Sequence, residues 1–158
     1  MSESRHVLSA KSQRELANSK KQLAKLDSYK PKSEPKIVTI KIDYSQNLYL
    51  PHLGDEQPGD CYYYSPINFY CFGIVDITQE HLHAYIYTEG EGKKGANNVS
   101  SLIMHYLTSN VVEPGVINKE LNVIMEKCGG QNKNKTVIQL GSYLQELGWF
   151  QDGSRMLI

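Results

Sequence analysis

Two carboxylates set the first question. Asp43 closes the run "KIVTIKID" and Glu126 closes "ELNVIME", so each stands at the end of a predicted strand. Two carboxylates meeting at neighbouring strand ends repel each other unless a proton or a cation lies between them. Mg²⁺ or Mn²⁺ suits such a place, because Mg²⁺ prefers oxygen ligands and keeps several waters for a phosphate. Beyond Glu126 come Lys127, Cys128, Gly129-Gly130 and then Gln131, Asn132, Lys133 and Asn134, just before a helical pattern. Amides and free backbone N–H groups at a helix start accept an anion such as phosphate, and Lys133 adds positive charge. Acids for a cation beside a cradle for phosphate form the outline of metal-assisted phosphodiester chemistry. The plainer account is that strand-end acids merely reach solvent and that Gln131, Asn132 and Asn134 cap a helix.

For the acids to meet, particular elements must carry them. Residues 36–43 alternate and are β-branched, which predicts a first strand. "INFYCFGIVDI" (67–77) is almost wholly apolar and predicts a strand at the centre of a sheet. "TQE" is a turn, and "HLHAYIYTE" (81–89) completes an antiparallel hairpin. Residues 44–66 form a long connection in which Tyr62, Tyr63 and Tyr64 could add a short strand. "VSSLIMHYLTSN" predicts a helix capped by Asn97 or Asn98, residues 120–126 a fourth strand, and residues 136–147 a second helix stopped by Gly148. The ending "WFQDGSRMLI" predicts no further secure element. The expected fold class is therefore α/β: three antiparallel strands, then helix, parallel strand and helix. That order resembles the ribonuclease H-like mixed sheet, incomplete at its C-terminal end. Such domains bring the ends of the first and fourth strands together, where this chain has Asp43 and Glu126.

The chain's 158 residues suit one core. Net charge is zero but unevenly spread. Residues 1–37 hold nine Lys/Arg and four Asp/Glu, so the rest is correspondingly acidic. Residues 1–36 are expected to be a basic, partly helical arm and linker, with "SYKPKSEPK" as the linker, ahead of a domain over 37–150 and a tail over 151–158. A basic arm on an acidic body points to DNA as a partner, against the plainer account of a solvated helix. Cys61, Cys71 and Cys128 form no C-x-x-C pair, so neither a zinc site nor a redox motif is signalled. No apolar run is long enough for a membrane span or signal peptide, so the expected location is the nucleus or cytoplasm, with no membrane partner.

At "EKCGGQNKN" the chain resembles a family of transposase-derived domains of eukaryotes, whose hallmark is a strand ending Asp-Asn-Cys followed by Ala/Gly-Gly-Gln-Asn-Lys-Asn. "IDYSQNLYLPHL" (42–53), "YYYSPINFYCFGIVD" (62–76) and "YTEGEGKKGANNVSSLIMHYL" (87–107) match it in the same order, over roughly residues 37–150. The family resembles the catalytic core of DDE-type transposases. The resemblance implies Asp43 as the first acid of a catalytic, metal-binding triad and Glu126 in place of the second Asp, with Lys127 where the family has Asn. It also implies a third acid after a fifth strand, in a region expected to lie beyond this chain. The resemblance thus implies a truncated DDE transposase- or nuclease-like domain with impaired catalysis, retaining DNA or divalent-metal contacts. The DNA-contacting residues would be Gln131, Asn132, Lys133, Lys93 and Lys94. The alternative is a non-catalytic DNA-binding or protein-interaction remnant.

One further motif competes. Gly90-Glu91-Gly92-Lys93-Lys94-Gly95 has G-x-G-x-x-G spacing between a strand and a helix, as in nucleotide-binding enzymes. Glu89 and Glu91 would repel a pyrophosphate, and the strand before the motif belongs to a hairpin, so this reading ranks lower. His81, His83 and His105 lack a third converging zinc ligand and are expected at an edge or exposed. Cys128 has no identifiable partner base and reads as a small buried residue. Tyr62, Tyr63 and Tyr64, with Phe69, Tyr70 and Phe72, read as core and hairpin packing residues ahead of base-stacking ones.

Overall fold

A computed structural model describes residues 2–31, 33–52, 59, 63–125 and 134–157. Its elements are α1 (Ser2–Asp27), β1 (Ile37–Tyr44), β2 (Leu48–Leu50), β3 (Ile67–Asp76), β4 (His81–Thr88), α2 (Ala96–Asn110), β5 (Glu120–Met125), α3 (Lys135–Glu146) and β6 (Ser154–Leu157). Together they make a mixed α/β fold around one six-stranded sheet.

β1 is the central strand. Along one edge it pairs antiparallel with β3, from Ile40↔Asp76 to Tyr44↔Phe72, and along the other it runs parallel to β5, from Ile37↔Glu120 to Ile42↔Met125. β4 closes the β3 side as an antiparallel hairpin partner. β6 closes the other side, parallel to β5. β2 continues β1's line along the same edge of β3, with Leu48 opposite Phe69. Ser45-Gln46-Asn47 therefore stand against Tyr70-Cys71, and the ladder is held across this bulge by the Ser45 N–H donating to the Cys71 carbonyl (3.0 Å). Such an interruption bends a strand and re-aims the side chains near it.

Strand alternation divides the sheet into two faces. Val38, Ile40 and Ile42 of β1, Phe72 and Ile74 of β3, and Leu121, Val123 and Met125 of β5 are buried on the first. α2 covers that face with Val99, Ile103, Tyr106 and Leu107, and α3 with Val137, Leu140 and Leu144. The second face receives α1, which docks by its last turns. Ala24 is buried, Lys20 donates to Glu120 (2.7 and 3.1 Å), and Asp27 Oδ2 accepts the Ile37 N–H (2.9 Å). Arg155 Nε shares Glu120 at 2.8 Å, so one carboxylate ties α1 to β6. The expected arm is thus a single helix in contact with β1.

Three expectations are corrected. The ending is not free of secure structure, because Ser154–Leu157 adds β6 next to β5. What stabilises so short a strand is its fit to α3. The Ser154 hydroxyl donates to the Gly141 carbonyl (2.9 Å), and a Cβ at residue 141 would lie 3.1 Å from that hydroxyl. A mid-helix glycine costs about 1 kcal/mol in propensity; here it lets β6 come close. Second, the short strand in the long connection is Leu48–Leu50, whereas Tyr63 and Tyr64 lie outside strands. Third, α2 starts one turn's fraction earlier than predicted, with Gly95 at its N-cap and no side-chain cap from Asn97 or Asn98. The predicted stop of α3 holds, with Gly148 at φ +68° just beyond Leu147.

At the hairpin end of β3, Asp76 is fully buried. Its Oδ1 accepts the N–H groups of Thr78 and Gln79 (both 2.8 Å), fixing the turn, and its Oδ2 accepts the Tyr106 hydroxyl from α2. Burial and the neighbouring Asp76 raise the Tyr106 phenol above its ordinary value, so it stays a donor. Tyr106→Phe should leave a buried carboxylate oxygen without its partner and cost about 1–3 kcal/mol in urea unfolding. Asp27 gives a second expectation. Burial alone would raise its pKa, but Lys30, the Ile37 N–H and Lys119 together hold it below the ordinary value. Its contribution is therefore full above about pH 4 and lost as pH falls through the lowered value. Below that range the joint between α1 and β1 should loosen, seen as faster amide exchange at Ile37, and Asp27→Asn should remove the pH dependence.

Candidate functional site

The C-terminal end of β1 gathers the chemistry that the described residues offer. Alternation turns Asp43 onto the second face, opposite to the buried Ile42, and leaves it exposed. Its cross-strand neighbour is Gly73, which has no side chain to screen the carboxylate. Asp43 makes no ion pair among the described residues. Ile42, one residue earlier, pairs with Met125, the residue that precedes Glu126 in the sequence. Glu126, Lys127, Cys128, Gln131, Asn132 and Lys133 lie outside the described residues, as does Tyr62. Asn134 is described, and its Oδ1 accepts the Thr136 N–H (2.9 Å) as the N-cap of α3. For this one amide the capping account holds.

On the other face, the same strand end is built around a lysine. Lys94 Nζ donates to the Ser45 carbonyl in the bulge (3.1 Å) and lies over the rings of Tyr44 (5.0 Å) and Tyr70 (5.4 Å). The phenols of Tyr44 and Tyr87 share a hydrogen bond (2.8 Å), Tyr87 stands edge-on to Tyr70, and Tyr44 packs on the buried Phe72. Burial, helped by the hydroxyl of Tyr87, raises the Tyr44 phenol well above the ordinary tyrosine value. An ammonium held by a carbonyl and two π faces is satisfied where it is. Lys94 thus clips the glycine-rich loop to the bulge, on the side away from Asp43. Lys93 is exposed, and its carbonyl accepts the Tyr87 hydroxyl (3.3 Å). Sequence reasoning missed this cluster because Tyr44, the partner of Tyr87, is distant from it in sequence.

The loop itself has a structural explanation. Glu91 folds back so that its carboxylate accepts the N–H and hydroxyl of Thr88 (2.7 and 2.9 Å), and those two donors lower its pKa. The Asn98 side-chain amide packs against Gly92, where a Cβ would come within 2.2 Å of it and displace it. β4 is an edge strand with an antiparallel partner, so the loop does not belong to a parallel pair of adjacent strands. A groove of about 260 Å³ beside it is lined by Tyr85, Tyr87, Leu102 and Glu91 among others. A mainly apolar groove whose one charged lining residue is Glu91, at an antiparallel edge, does not suit a pyrophosphate.

His81 and His105 are exposed and His83 is half-buried on the edge strand β4, in line with the expectation. His83 is edge-on to Tyr106 at 5.0 Å, and His105 Nδ1 lies 3.4 Å from the Tyr85 hydroxyl. Phe69 and Tyr70 are half-buried and Phe72 is in the core, whereas Tyr63 and Tyr64 are exposed, against the packing expectation for them. Among the described residues, no three His, Cys, Asp or Glu side chains converge on a point that could hold a metal ion. No described helix is long and apolar enough to cross a membrane.

Lys94→Met keeps the stem and removes the charge. Its expected cost is about 0.5–2 kcal/mol, with faster amide exchange confined to residues 45–47 and 90–95; unchanged exchange there would show that the clip is not what orders the loop. No family model matches the chain, and neither does any curated protein or solved structure.

Proposed function

We propose that the chain from Ile37 onward is a ribonuclease H-like domain of the transposase-derived kind, whose catalysis is impaired and whose Asp43–Glu126 pair retains affinity for a divalent cation. The observation that carries this reading is the strand order. With β2 taken as the continuation of β1, the sheet runs β4-β3-β1-β5-β6, antiparallel on the β3 side and parallel on the β5 side. That is the arrangement such a domain needs, and the β6 strand supplies a parallel addition that the sequence did not lead us to expect. The exposed Asp43, one step past the last β1–β5 pair, supports the same reading.

Asp43 and Glu126 would hold Mg²⁺ or Mn²⁺, which as a Lewis acid would polarise a phosphate oxygen. Impairment follows from the sequence around Glu126. Its extra methylene displaces a carboxylate from where Asp would put it, and misplacement by about 1 Å can cost about 100-fold. Lys127 beside it competes with a cation for that charge. A second reading, a protein-interaction remnant, is favoured by the second face of the β2-β3-β4 half of the sheet. There Leu48, Leu50, Ile67, Val75, Leu82 and Ile86 are exposed, and exposed apolar surface of this kind is characteristic of interfaces.

Thermal melts with and without 10 mM MgCl₂ or MnCl₂ test the first reading. A site with millimolar affinity should contribute about 1.4 kcal/mol at tenfold excess over its Kd. That corresponds to a rise of roughly 3–5 °C, abolished by Asp43→Ala. Absence of a shift with either ion would remove the cation site from the proposal. Supercoiled plasmid should remain intact under the same conditions; robust nicking that Asp43→Ala abolishes would overturn the impairment.

A further inference from the structure

We propose that the outer face of α1 is a docking surface for the phosphate backbone of double-stranded nucleic acid. At about 100° per residue, Lys11, Arg14, Lys21 and Lys25 fall within an arc of about 80° on the helix. Lys11, Arg14 and Lys25 are exposed and Lys21 partly so. The row spans about 21 Å at 1.5 Å per residue, and the uncharged Asn18 lies within it. None of the four pairs with a carboxylate among the described residues, whereas Lys20 and Lys30 do. Glu15 is the nearest acid on α1, and it is exposed beside Lys11.

Docking leaves this face free and holds it in shape. Lys20, Ala24 and Asp27, which touch the sheet and its edge, lie roughly 130° around the helix from the basic row. A helix this polar would be marginal alone. The Lys20–Glu120–Arg155 bridges and the Asp27–Ile37 bond fix its last turns, so Lys21 and Lys25 are preorganised and less ordering cost is incurred on binding there. The remainder of the chain is acidic, which directs a polyanion to α1 and away from the body. A duplex fits better than an anionic membrane. The exposed leucines Leu16, Leu23 and Leu26 lie on the far flank of the docked turns, too few to form an inserting face. Contacts of this kind carry no base readout, so binding is indifferent to sequence. The inference stands on α1 alone and does not depend on the Asp43 site.

The test uses the full chain and a fluorescein-labelled 30-base-pair duplex of mixed sequence, followed by anisotropy from 20 to 200 mM KCl. Four phosphate contacts predict a slope of log K on log salt near −3.6, hence an affinity loss of about a hundredfold between 50 and 200 mM. Lys11→Gln/Arg14→Gln and Lys21→Gln/Lys25→Gln should each reduce the slope by about two, and Asp43→Ala should leave binding unchanged. The two double variants are read separately, so that misfolding of one, checked by circular dichroism, leaves the other to decide. No binding at 20 mM KCl, binding that both folded variants retain, or binding to phosphatidylserine vesicles in preference to the duplex would each overturn the proposal. Loss of binding in Asp43→Ala alone would move the contact to the strand-end site.

Discussion

β1 is hydrogen-bonded on both edges, buried along one face and covered by α1 only at the start of the other, and this arrangement organises the molecule. Its buried residues Val38, Ile40 and Ile42 set one face against α2 and α3. Because side chains alternate, Lys41 and Asp43 must then face the other way. A one-residue slip of β1 would turn Ile40 and Ile42 out of the core and Asp43 into it, which the burial of two isoleucines and the desolvation of a carboxylate both oppose. The exposure of Asp43 therefore follows from packing rather than from anything local to it.

At the start of β1, backbone groups that β3 does not pair are taken up by the turn that follows β3. Thr39 is fully buried, and its N–H donates to the Thr78 hydroxyl, which in turn donates to the Ile37 carbonyl. The 77–80 turn thereby takes up the backbone groups of β1 that β3 leaves once its pairing starts at Ile40. α1 and the Glu120 bridges cover the remainder. Burying Glu120 without its two cations would be costly, so the docking of α1 and the placement of β6 are coupled through one carboxylate. A helix that sequence alone reads as a detached arm becomes part of the body for an electrostatic reason.

At the other end of β1, order is maintained by aromatic rings and one ammonium. The bulge at residues 45–47 interrupts the ladder, and Lys94 reaches across from the glycine-rich loop to satisfy its carbonyl. Two loops that would otherwise move independently are joined beside the strand end that carries Asp43. Lys94, which the resemblance marks as a DNA contact, is engaged in internal structure, while Lys11, Arg14, Lys21 and Lys25 of the basic arm present a charged row without carboxylate partners among the described residues.

Sequence periodicity by itself determined β1, β3, β4, β5 and α3 to within about two residues, and α2 to within three. Those elements are long enough, or alternate cleanly enough, for local pattern to exceed the noise of propensity. It also determined the stop at Gly148. Only the tertiary structure decided the short strands. β2 and β6 are too brief to carry a period, and they exist because β3 and β5 offer free edges and because Gly141 admits Ser154. Likewise, the partners of Lys20, Lys94 and Asp76 were unreadable. A charge or phenol in a chain specifies what it needs, but which group meets it depends on contacts between residues distant in sequence, fixed only when the sheet closes.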